Sequence, residues 1–135
     1  MHTNLKDYLE KNKLKYSSLT NIENAFRVVF GTENAIYSSV LHDLEEDKCL
    51  LLLFFFPIKI SKVNKAILEK IADINYNLLL GNFELHNKTG VLRFRLSIPY
   101  LIEEPSLEMI AKMVEISLSI VESHFDMITN VIFPK

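Results

Sequence analysis

Three glycines and four prolines in 135 residues leave little for disordered linkers, and no glycine-rich phosphate loop, nucleotide fingerprint or nucleophile elbow is present. Cysteine is scarcer still. The single Cys49 excludes an internal disulfide, and at the head of a run of leucines it is read as a buried core thiol. The four histidines, His2, His42, His86 and His124, fall in four different expected elements without the spacing of a metal motif, so no metal, cofactor or catalytic residue is expected. Nor is one sign of charge in large excess. A net charge of -2 and a pI near 6.1 give no global attraction for nucleic acid or an anionic membrane. The opening Met1-His2-Thr3-Asn4-Leu5-Lys6-Asp7 lacks the basic-then-apolar pattern of a secretory signal, and with one cysteine this points to a reducing cytoplasm. No repeat is visible, and a single domain over residues 1–135 is expected.

What the chain does have is an uncharged apolar run from Cys49 to Phe56, between the acidic Glu45, Glu46, Asp47 and the helix-breaking Pro57. It is far short of the ~20 apolar residues a membrane-spanning helix needs. Three consecutive phenylalanines favour a strand, which puts Cys49, Leu51, Leu53 and Phe55 on one face and Leu50, Leu52, Phe54 and Phe56 on the other. Both faces are apolar, so each is expected to be covered by helix, loop or another chain.

Thr3 or Asn4 is placed to cap a first helix running to about Lys15. Phe26, Val28 and Phe30 alternate with Arg27 and Val29 up to Gly31, as a strand does, although Thr20 to Glu23 also matches a capping box for a short helix. A second strand, about Asn34 to Leu44, turns through Glu45–Lys48 into the apolar run, setting Leu44 opposite Cys49 and Val40 opposite Leu53. The run Asp43, Glu45, Glu46, Asp47 lacks the pattern of a calcium loop and reads as a solvated turn. Ser61 is the expected cap of a helix carrying Val63, Ile67, Ile71, Ile74 and Leu78 and stopped by Gly81. A hairpin follows, with Glu84 opposite Arg93. Pro105 and Ser106 then open one long last helix.

That last helix has two apolar stripes. Leu107, Ile110, Ala111, Val114, Leu118, Val121 and Phe125 form one; Met109, Met113, Ile116, Ile120 and Met127 form another, the candidate interface of a homodimer. Lys59, Lys62 and Lys65, around the start of the middle helix, are weak anion-site candidates together with Arg93 and Arg95. Together these elements describe an α+β domain with a five-stranded, mainly antiparallel sheet packed by helices.

The stretch Ile71-Ala72-Asp73-Ile74-Asn75-Tyr76-Asn77-Leu78-Leu79-Leu80-Gly81-Asn82-Phe83-Glu84-Leu85, then Val91-Leu92-Arg93-Phe94-Arg95 and Ser106-Leu107-Glu108, resembles the bacterial YbjN-like family over about Val63 to Ile128. The resemblance implies a fold similar to type III secretion chaperones, with element order α-β-β-β-α-β-β-α, in small, often dimeric, non-enzymatic proteins. It carries over no functional residue. The function expected is a non-enzymatic protein-interaction module, chaperone-like or regulatory, that binds an apolar segment of a partner protein. Its candidate binding face is Val40, Leu51, Leu53 and Phe55. An anion- or nucleic-acid-binding protein using the basic cluster is the alternative.

Overall fold

The structure, a computed structural model, describes residues 3–134. The apolar run forms strand β4 (Cys49–Phe55), as expected, and the chain is organised around it in the order α1 (Asn4–Lys11), β1 (Tyr16–Ser18), β2 (Ala25–Gly31), β3 (Ile36–Leu44), β4, α2 (Lys65–Asn77), β5 (Asn82–Leu85), β6 (Leu92–Pro99), α3 (Leu107–Ser123), α4 (Phe125–Ile132). The sheet has six strands and not five, all antiparallel, in the order β1-β2-β3-β4-β6-β5. Leu44 pairs with Cys49 and Val40 with Leu53, the register set by the turn at Glu45–Lys48.

The helices begin where side chains satisfy free amides. Thr3 Oγ1 accepts from the Lys6 N–H at 3.2 Å, Asn64 Oδ1 from Ile67 at 2.9 Å, and Ser106 Oγ from Met109 at 3.1 Å. Asn64, not Ser61, therefore caps α2, and the first helix stops at Lys11 because Lys13 takes a positive φ of 53°. Residues 20–23 form a turn instead of a short helix, with Asn21 and Asn24 at positive φ. Gly81 does not end α2, which stops at Asn77; at φ +70° it lies against the Phe94 ring, where a Cβ would collide.

The expected single last helix is two helices. The Ile120 carbonyl is contested by the His124 N–H at 3.2 Å, the Ser123 hydroxyl at 3.1 Å and His124 Nδ1 at 2.7 Å, and the backbone bends there. The bend sends α4 back over α2, stacks Phe125 on Phe56 with centroids 5.4 Å apart, and sets the His124 ring edge-on to Phe83. On α3 the buried residues are Ile110, Val114, Ser117 and Val121; Ala111, expected on the apolar stripe, is exposed.

All four helices lie on one side of the sheet. Their buried residues, among them Leu5, Leu9, Ile71, Ile74, Ile110, Val121 and Ile128, form one cluster with Val28, Leu41, Leu50, Leu52, Phe54, Phe94 and Phe83. Asn75 locks α2 to β5 by accepting from the Phe83 N–H at 2.7 Å and donating to its carbonyl at 2.9 Å. At the end of the sheet Asp43 is not in a solvated turn: it is 3% exposed and accepts from Tyr100 Oη at 2.8 Å. Beside it Glu104 accepts from the Asn4 N–H at 3.0 Å, joining the starts of α1 and α3.

Candidate protein-interaction face

The opposite side of the sheet carries no helix. Strand alternation brings Arg27 and Val29 from β2, Val40 from β3, Leu51, Leu53 and Phe55 from β4, Arg93 and Arg95 from β6 and Glu84 from β5 to this side. Of the covers expected for the two faces of β4, the chain's own helices supply one; on this side neighbouring side chains shelter the strand in part. Leu53 is only 8% exposed because Val40 and Arg95 flank it in register, while Val40, Leu51 and Phe55 are half-buried. Long arginine stems cover apolar surface while their heads stay wet. Cys49 lies at the end of the same face, half-buried, and so is not a core thiol.

The four residues expected to form a partner-binding face are therefore contiguous. Val40 pairs with Leu53, and Leu51 and Phe55 flank Leu53 along the strand. Around them the charges are ordered. Glu84 takes the Arg93 Nε at 2.8 Å and the Arg95 Nε at 3.0 Å, one carboxylate bridging two guanidinium groups. Burial works against ionising Glu84, but the hydrogen bonds from Arg93 and Arg95 outweigh it and hold its carboxyl below the ordinary value. The sequence placed Glu84 opposite Arg93; Arg95 reaches the same carboxylate from the diagonal position two residues along β6. Arg27 was missed as part of this face, although its alternation with Phe26 and Val28 already put it opposite the buried side.

The other candidates disperse. Lys59 and Lys62 are exposed ahead of α2, and Lys65 pairs with Glu69 one turn on at 3.6 Å. Lys59 lines a cleft of about 420 Å³ with Ser61, Lys88 and Gly90, whereas Arg93 lines a separate one of about 330 Å³ with Glu84 and His86, so the five cations do not share one site. Of the second apolar stripe, Met113 and Ile120 pack against the core, Ile116 is half-buried, and Met109 and Met127 are exposed, Met127 on α4 beyond the bend. His42 is on the open face, His86 Nδ1 accepts from the hairpin amides of Lys88 and Thr89, and His124 sits at the bend; His2 lies outside the described residues. Among the described residues no group of three or more His, Cys, Asp or Glu is placed to hold a metal ion. Nor is any helix among them long and apolar enough to cross a membrane.

A single α+β layer of helices over an antiparallel sheet, with one sheet face left open, defines the class. The chain belongs to the YbjN family, described as "Putative bacterial sensory transduction regulator", whose model matches residues 2–130. Its fold is that of YbjN from E. coli, with a TM-score of 0.61 at 12% identity over 93% of this chain and 87% of that one. It is similar also to a chain of the ExsC–ExsE complex (TM-score 0.66, 18% identity, 92% of this chain and 90% of that one). A chain of the HopA1–SchA chaperone–effector complex gives 0.61 at 15% identity, covering 91% of each. No curated protein matches the sequence.

Proposed function

We propose that this chain is a non-enzymatic, cytoplasmic protein-binding module, chaperone-like or regulatory, that holds an apolar segment of a partner protein on the open face of its sheet. The observation that carries the reading is the contiguous floor of Val40, Leu51, Leu53 and Phe55 on a face that no helix covers. The fold likeness to chains solved in the ExsC–ExsE and HopA1–SchA complexes supports a protein partner. The dispersal of Lys59, Lys62 and Lys65 away from Arg93 and Arg95 weighs against an anion site built from all five. The module works as a homodimer through the helical side, where Met109 on α3 and Met127 on α4 are exposed and Ile116 is half-buried, which leaves the sheet face to the partner.

The test is affinity purification from the native host with the parent chain and with Leu51→Asp, followed by hydrogen exchange on the complex. Loss of the partner in the variant and new protection over β3 and β4 are expected. Protection confined to distant surface overturns the interaction face. Light scattering on the free protein is expected to give a dimer, and a monomer at micromolar concentration removes the dimer from the reading.

A further inference from the structure

The open face is opposite in sign to the molecule. The chain is net negative, yet this side of the sheet carries three guanidinium groups, Arg27, Arg93 and Arg95, against the one carboxylate of Glu84. Arg27 is exposed and has no ion-pair partner among the described residues. Arg93 and Arg95 engage Glu84 through Nε, and their side chains remain 32% and 36% exposed.

Their placement gives the face a shape. The register sets Arg27, Val40, Leu53 and Arg95 in one row across β2, β3, β4 and β6. Three strand spacings of about 4.8 Å separate the two arginines, about 14 Å in all, and the two strands between them present an apolar floor. A helix with its side chains is about 10–12 Å across and fits between these walls. An extended segment suits the floor badly. The face of a sheet presents side chains and no backbone donors or acceptors, so a strand laid flat on it gives up water around its own amides and carbonyls and gains no partner for them. A helix brings its backbone bonds with it.

We propose that this trough seats an amphipathic helix of the partner protein, its apolar stripe on Val40, Leu51, Leu53 and Phe55 and its acidic flanks against Arg27 on one side and Arg93 and Arg95 on the other. This rests on the interaction-face reading above and adds the form and charge of what binds. A second copy of this chain is the poorer occupant, because twofold stacking of the face on itself opposes two surpluses of guanidinium. Single-stranded nucleic acid is poorer too, since its bases stack on exposed aromatic rings and this floor offers only the half-buried Phe55.

Two synthetic peptides test the proposal: a helical peptide with a leucine stripe flanked by glutamates, and its twin with lysines at the flanking positions, each labelled and titrated by fluorescence anisotropy. The glutamate peptide is expected to bind about tenfold or more tightly than its twin at low salt, with the difference shrinking as salt is added. Arg27→Glu with Arg95→Glu, checked for folding by circular dichroism, should reverse the preference. Arg27→Ala, at an exposed side chain without a partner, should weaken the glutamate peptide alone by a few fold. Equal binding of the twins, lost in both cases with Leu51→Asp, overturns the acidic helix and keeps the apolar face. Glutamate-peptide binding that survives Leu51→Asp overturns both. Failure of both peptides to bind overturns the proposal, and a dimer that Leu51→Asp converts to monomer then assigns the face to a second copy. Tighter binding of an oligothymidylate than of the glutamate peptide, lost in the arginine double variant, assigns it to nucleic acid.

Discussion

Phe54 and Phe55 are neighbours in the chain and belong to different surfaces. Phe54 is fully buried under the helices beside Phe30, and Phe55 is half-buried on the side that no helix reaches. The covered side is closed by aliphatic and aromatic residues from all four helices; the open side is closed only laterally, by its own neighbours and by arginine stems. Within the chain, then, this apolar strand receives a helical cover on one side only. A wide sheet with long polar side chains at its margins shields much of a central strand unaided.

The sharpest way to break this comparison is to truncate each phenylalanine in turn. Phe54→Ala is expected to cost about 3–5 kcal/mol in urea denaturation, whereas Phe55→Ala should cost about 1 kcal/mol or less. Equal losses would mean that the open face is structural core. The covered side also depends on polar locks, of which Asn75 is the clearest. Asn75→Ala leaves the Phe83 N–H and C=O without their side-chain partner and should cost about 1–3 kcal/mol by the same measurement. A change near zero would show that α2 is held by its isoleucines alone.

The smallest effect is expected where the helical layer meets the end of the sheet. Burial raises the Glu104 carboxyl above the ordinary 4.5; the Asn4 amide draws it back, and the adjacent Asp43 carboxyl pushes it up again. Folding then takes up protons between 4.5 and the folded-state value, so stability falls as pH rises through that window. Glu104→Gln keeps an acceptor for Asn4 and removes the charge. It should be more stable than the parent at pH 7 by less than about 1 kcal/mol, with the gain vanishing below pH 4.5, as read from thermal melts across pH. A gain independent of pH would assign the effect to packing.

Much of this was legible in the residues. The turn at Glu45–Lys48 fixed the pairing of β3 with β4, and the hairpin that sets Glu84 opposite Arg93 marked β5 and β6. β1 was not legible, because Tyr16, Ser17 and Ser18 are too few to show a period and pair only through β2. The bend at His124 has neither glycine nor proline to announce it; side-chain competition for one carbonyl makes it. The candidate face itself was named residue by residue, but not which side of β4 was open, since both sides read as apolar. That choice belongs to the helices, whose placement depends on contacts distant in sequence. The guanidinium walls came into view only once β2 and β6 were known to lie one strand out from the floor on either side.

The bend at His124 also bears on how the chain is made. Synthesis runs from the N-terminus, and β4 leaves the ribosome long before Phe125 and Ile128, the residues that α4 adds to the helical layer. Through most of translation the nascent sheet has no completed side, and Phe56 waits for the Phe125 ring it will stack upon. A ribosome stalled before residue 125 displays a chain whose helical layer still lacks Phe125 and Ile128, with Phe56 left without its stacking ring.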